Sequence, residues 1–111
     1  TLTGTGVASL VDAPCASAGF NMPWGVAVDA AGDIFVSDRG SHVIRRISTA
    51  CVVETIAGTA TAGYADGNGS SAQFYGQEGI AVSADGKTVY VADGNGGDGS
   101  SFHRIRAIAV P

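Results

Sequence analysis

The sequence is short of positive charge. One lysine and five arginines stand against ten acidic residues, for a net charge of −4. Nucleic-acid binding rests on Lys and Arg neutralising phosphates, and three of the six cations (Arg39, Arg45 and Arg46) fall in one stretch, so no nucleic-acid partner is expected. Long apolar runs are also missing. None approaches the roughly 20 residues that span a bilayer, and no membrane partner is expected. No charged-then-apolar leader precedes the first apolar residues, and the chain opens on Thr1, as expected of a processed product or a piece of something longer. Charged residues make up 14% of the chain and aromatics 7%, while hydrophobic residues reach 45%, which excludes a disordered segment.

Cysteine is scarce too, with Cys15 and Cys51 alone. An even count fits a disulfide, and equally fits two buried thiols. Asn68-Gly69-Ser70 is an N-glycosylation sequon in a polar, Gly-rich stretch. With the dearth of lysine and the many small residues, these features favour an oxidising, extracellular setting. Cys15 lies before the first long apolar strand and Cys51 in a turn, so a Cys15–Cys51 bridge is expected, as is glycan on Asn68.

What the chain does have is glycine, 17 of them, placed mostly in turns between short apolar runs. It also repeats itself. Sliding by 54 brings Thr1 onto Thr55, Gly4 onto Gly58, Asp12 onto Asp66, Phe20 onto Phe74 and Gly25-Val26-Ala27-Val28 onto Gly79-Ile80-Ala81-Val82. One extra residue near Thr88 aligns Ile34-Phe35-Val36-Ser37-Asp38 with Val89-Tyr90-Val91-Ala92-Asp93. Six more in the Gly94–Ser101 loop align His42-Val43-Ile44-Arg45-Arg46-Ile47 with His103-Arg104-Ile105-Arg106-Ala107-Ile108. Insertions confined to turns are the mark of a structural repeat. The units run over 1–54 and 55–111.

Strands are expected at Gly25–Asp29, Ile34–Ser37, Val43–Ser48 and Val52–Ala57, then at Gly79–Ser83, Thr88–Ala92 and Arg104–Val110. Four antiparallel strands in about 50 residues is the arithmetic of a β-propeller blade. The first two strands are apolar on both faces, as in blades covered by neighbours on either side. Phe20, Trp24, Phe74 and Tyr90 are expected in the core, although Trp24 aligns with Glu78, is the one aromatic the repeat leaves unexplained, and has an exposed surface as its alternative place.

Val53-Glu54-Thr55-Ile56-Ala57-Gly58-Thr59, Trp24-Gly25-Val26-Ala27-Val28-Asp29, Ile34–Asp38 and His42–Ile47 resemble the NHL-repeat propeller family, across essentially the whole chain. That resemblance implies an all-β fold of two tandem blades. It leaves function open, because the family includes lyases, hydrolase-like enzymes, RNA-binding modules and protein scaffolds.

Candidate chemistry reduces to recurring positions. His42 and His103 are repeat-equivalent, and two histidines on consecutive blades do not supply the three or four converging ligands of a zinc site. Asp38 and Asp93 recur, so they lack the contrasting environments of a catalytic carboxylate pair; a turn-capping or hydrogen-bonding role is expected. Arg45 and Arg106 are expected to bond carbonyls or a carboxylate between blades. Asp93–Gly99 departs from the calcium-loop pattern, with no Glu at its end. No Ser-His-Asp or Cys-His set can be assembled, and no catalytic, cofactor or metal residue is expected. The reading is therefore an extracellular structural or interaction module with protein partners. The alternative is a fragment of a larger six-bladed propeller enzyme whose site lies on other blades. Because Thr1–Gly4 matches the end of a fourth strand and the second unit shows only three, strand exchange into a homo-oligomeric ring or fibre is expected, alongside the alternative of one longer chain.

Overall fold

The structure, a computed structural model, describes residues 1–63, 65–94 and 103–111. Two antiparallel sheets stand side by side. The first has the order β1-β5-β4-β3-β2, built from Ala13–Pro14 (β1), Pro23–Val28 (β2), Ile34–Asp38 (β3), Val43–Ile47 (β4) and Val52–Ala57 (β5). The second has the order β6-β7-β8, from Ile80–Val82, Thr88–Asp93 and Arg104–Ala109. All seven expected strands are present within a residue or two of their expected ends. The two-residue β1, which pairs Ala13 with Val53 and Pro14 with Val52, was not expected.

Turn chemistry punctuates the strands. Between β2 and β3 the Asp29 carboxylate accepts the N–H groups of Ala31 and Asp33, both at 3.0 Å, and Gly32 takes φ +97°. The matching turn of the second sheet uses Gly86 at φ +72°, with Asp85 accepting from Ser83 and Lys87. A left-handed φ suits glycine because it has no Cβ to clash. A 3-10 turn at Arg39–Ser41 joins β3 to β4 and closes on His42 at φ 58°.

Strand alternation divides the first sheet's side chains between two cores. Phe35, Ile44, Ile56 and Ala57 face the second unit and pack against Ala72, Phe74, Val89, Val91 and Ile108. Val36, Ile47 and Val53 face the other way, beneath Cys15 and Ala18 of the incoming loop. A disulfide joins Cys15 to Cys51, 36 positions apart, and pins that loop to the β4–β5 turn. Closing a loop of this length contributes roughly 3–4 kcal/mol in the chain-entropy picture. The sheets approach closely at Gly25, where a Cβ would collide with the Glu78 carbonyl, and Ser37 Oγ donates to that same carbonyl at 2.7 Å.

Two expectations about burial need correction. β3 is covered on both sides, with Phe35 and Val36 both buried, but β2 is not: its Val26 and Val28 stand 68% and 62% exposed. Of the four aromatics expected in the core, Phe74 is buried and Phe20 half-buried, whereas Trp24 and Tyr90 are exposed. Tyr90 points away from the first sheet, on the face opposite Val89 and Val91.

Candidate functional site

Each sheet is organised about a buried arginine. Arg45 on β4 is wholly buried, and so is its partner Asp38, with Nη1 donating to Asp38 Oδ2 at 2.9 Å. The same guanidinium donates to the carbonyls of Gly19 and Val11 and to Asp12, and stacks over Phe20 at 4.7 Å. Arg106 on β8 repeats the set with Asp93, Gln73 O, Ala65 O, Asp66 and the Phe74 ring. A buried guanidinium is tolerated only when its donors are met. Burial pushes the Asp38 carboxyl above its ordinary range, with the Asn21 amide and Arg45 pulling the other way. These arginines tie each sheet to the loop ahead of it, rather than one blade to the next as expected.

Asp38 and Asp93 hydrogen-bond as expected, and Asp93 Oδ1 takes the Gly94 N–H of its own turn at 3.0 Å, but their other partners lie well ahead in the chain. Asp38 Oδ1 accepts Asn21 N–H at 2.8 Å, and Asp93 Oδ1 accepts from Tyr75 and Gly76. They fix the chain as it enters the first strand of each sheet. These partners are distant in sequence, so the repeat marked the residues without revealing the bonds. His42 Nδ1 lies 3.0 Å from Tyr75 O, a backbone contact between the two units. Among the described residues no group of three or more His, Cys, Asp or Glu is gathered to hold a metal. Residues 95–101 of the loop weighed for calcium lie outside the described residues. Asn68 is exposed, at the start of a 3-10 turn over Gly69–Ser71.

One exposed cluster stands apart from these structural bonds. Trp24, at the start of β2, is 57% exposed. The Arg39 guanidinium, from the β3–β4 turn, lies 4.9 Å over the indole, and its Nε is 3.3 Å from Glu78 Oε1. Trp24 and Glu78 are repeat-equivalent positions of adjacent units, and Arg39 bridges them. Beneath this turn Gln77 is fully buried, its amide donating to Asp38 O and Val43 O, while Oε1 has no hydrogen-bond partner among the described residues. An aromatic face flanked by a cation and a carboxylate suits recognition, since a few placed polar groups beside an apolar surface orient a ligand. Sequence reasoning did not assemble this rim; its one signal was that Trp24 breaks the repeat.

The family model for the NHL repeat matches residues 20–47. Among curated proteins, none matches the chain by sequence. Solved structures do match. A structural genomics protein of unknown function from Bacteroides thetaiotaomicron VPI-5482 superposes with a TM-score of 0.83 at 23% identity, over 98% of this chain and 26% of that one. An auxiliary nutrient binding protein from Bacteroides ovatus ATCC 8483 gives 0.79 at 27% identity, over 99% of this chain and 28% of that one. A second auxiliary nutrient binding protein, from Bacteroides thetaiotaomicron VPI-5482, gives 0.70 at 26% identity, over 83% and 25%. The chain thus spans about a quarter of the length of the structures it matches. Residues 20–47 match the NHL repeat, and the chain folds as β-propeller blades.

Proposed function

We propose that these blades serve an extracellular or cell-surface protein that binds its partner rather than transforming it, with the Trp24–Arg39–Glu78 rim as a contact surface. The exposed indole carries this reading. Trp24 stands in solvent with Arg39 stacked on it and Glu78 alongside, and burying an exposed Trp against a ligand is a large source of affinity. The buried chemistry is consumed elsewhere, in the two arginine brackets. The nutrient-binding function of two of the structural neighbours points the same way, and the Cys15–Cys51 disulfide suits an oxidising compartment. A saccharide is the ligand class that fits: its C–H face lies on an indole while its hydroxyls bond Arg39 and Glu78. The exposed Asn68 sequon is the place for a glycan, which would add mass in a glycosylating secretory host and vanish in Asn68→Gln.

The chain contains one tryptophan, so its emission reports on the rim alone. Titration with neutral gluco-, xylo- and manno-oligosaccharides is expected to give a saturable change with at least one series. Glu78→Ala should weaken that response about ten-fold, which corresponds to about 1.4 kcal/mol. No response to any series, or one untouched by both Glu78→Ala and Arg39→Ala, would refute the reading.

A further inference from the structure

We infer that Gln77 is a positioning residue for the rim, a role that rests on the rim being the contact surface proposed above. Its carboxamide reaches from the second unit into the first and holds the turn that carries Arg39, so that the guanidinium stays on the Trp24 face beside Glu78.

A long arginine side chain on a surface turn loses much rotamer freedom when it settles in one place. The backbone beneath Arg39 is where that freedom is first reduced. Asp38 and Val43 are the paired residues of β3 and β4 nearest the turn. Gln77 Nε2 donates to both, at 3.4 Å to Asp38 O and 3.3 Å to Val43 O. One carboxamide thus spans the base of the hairpin from across the contact between the two units. Two more bonds steady the loop itself. His42 Nδ1 lies 3.0 Å from Tyr75 O, and Gly40 N–H donates to Asn21 O at 2.8 Å.

The same stretch of chain places the other two rim residues. Glu78 follows Gln77 directly; its N–H donates to Ala92 O at 3.2 Å and its carbonyl accepts from Ser37 Oγ at 2.7 Å. Ser37 Oγ also accepts from Gly25 N at 2.9 Å, next to Trp24. Arg39, Glu78 and Trp24 come from three segments, and Gln77 with Ser37 joins all three where the sheets meet. Groups held in place before a ligand arrives need not be ordered on binding.

Packing alone does not call for a carboxamide here. Gln77 is at zero exposure and its Oε1 is unmet among the described residues, a cost that an apolar side chain of the same size avoids. Pro23 holds the equivalent place in the first unit, with neither a side-chain donor nor an N–H, so a blade forms without them. The arginine brackets recur in both units, as parts of the fold should. Gln77 and Trp24 break the repeat, and both lie at the contact between the units. Local costs that the fold does not require gather at functional sites.

Trp24 is the only tryptophan, so acrylamide quenching of its emission in the ligand-free protein reads how well Arg39 covers it. Arg39→Ala should raise the quenching constant by uncovering one face of the indole. Gln77→Met should raise it to the same level and the double variant no further, as two changes to one interaction do. Gln77→Pro, which copies the first unit, should match Gln77→Met. Val89→Ala, a core truncation toward the end of β7 away from Ala92, is the control for general loosening. It should lower the urea midpoint and leave the quenching constant as it was. Unchanged quenching in both Gln77 variants would overturn the role, as would effects of Gln77→Met and Arg39→Ala that add. Loss of the native far-UV spectrum in both Gln77 variants would overturn it too, by making the carboxamide a requirement of the fold. If no oligosaccharide binds while Gln77 and Arg39 stay coupled, the ligand reading falls and the positioning stands.

Discussion

Arg45 and Arg46 are neighbours in sequence and opposites in energetics. Arg45 lies at zero exposure, with Asp38, Asp12 and two carbonyls taking its donors. Arg46 pairs with Glu54 at the surface, where both side chains keep contact with water. Removing one member of a buried pair strands the other without solvent, whereas a surface pair was never far from its hydrated state. Arg45→Met should therefore lower stability by about 3–5 kcal/mol, and Arg46→Ala by less than about 1 kcal/mol. Urea denaturation of the two variants separates them, and equal losses would contradict the burial argument.

At the scale of the strand, the informative comparison is between Gly25 and Gly79. They hold the same place in β2 and just ahead of β6, and neither has a left-handed φ. A Cβ on Gly25 would strike the Glu78 carbonyl and press on Ile80 and Ser37, because the second sheet lies against that face. Among the described residues a Cβ on Gly79 would meet only the Ala92 methyl, at an ordinary 3.6 Å. Gly25→Ala is expected to cost about 1–3 kcal/mol by forcing the sheets apart, and Gly79→Ala about 0.5 kcal/mol or less. Thermal melts of dilute protein would show this, and a larger loss from Gly79→Ala would mean that its face is already covered.

The whole molecule is held as one unit by a core that crosses from sheet to sheet. Phe35 contributes to it from the first sheet, Phe74, Val89 and Val91 from the second unit. Among the described residues the second sheet has three strands and no other apolar layer to bury itself against. Phe35→Ala should cost about 3–5 kcal/mol, and its effect should not stop at β3. Amide exchange is expected to rise in β6, β7 and β8 together with β2–β5. Loss of protection confined to the first sheet would show that the second stands alone.

Several features of this protein were decided within its sequence. The alternation of apolar residues, the turn glycines and the repeat placed every principal strand, because these signals are local or periodic. The disulfide partners and the recurrence of Asp38, Arg45, His42 and their counterparts were visible in the same way. The short β1 was not, since two residues carry no period. The partners of the recurring polar residues were not visible either. Arg45 meets Asp12 and Val11 across more than 30 positions, and only the fold brings such groups together. Burial was the least legible property. Phe35 and Tyr90 have the same place in the repeat and similar side chains, yet one is sealed between sheets and the other stands in water. A strand's pattern says which residues can be covered; the neighbouring sheet decides which ones are. The rim of Trp24, Arg39 and Glu78 has the same origin, assembled from two units and a turn by the way the sheets stack.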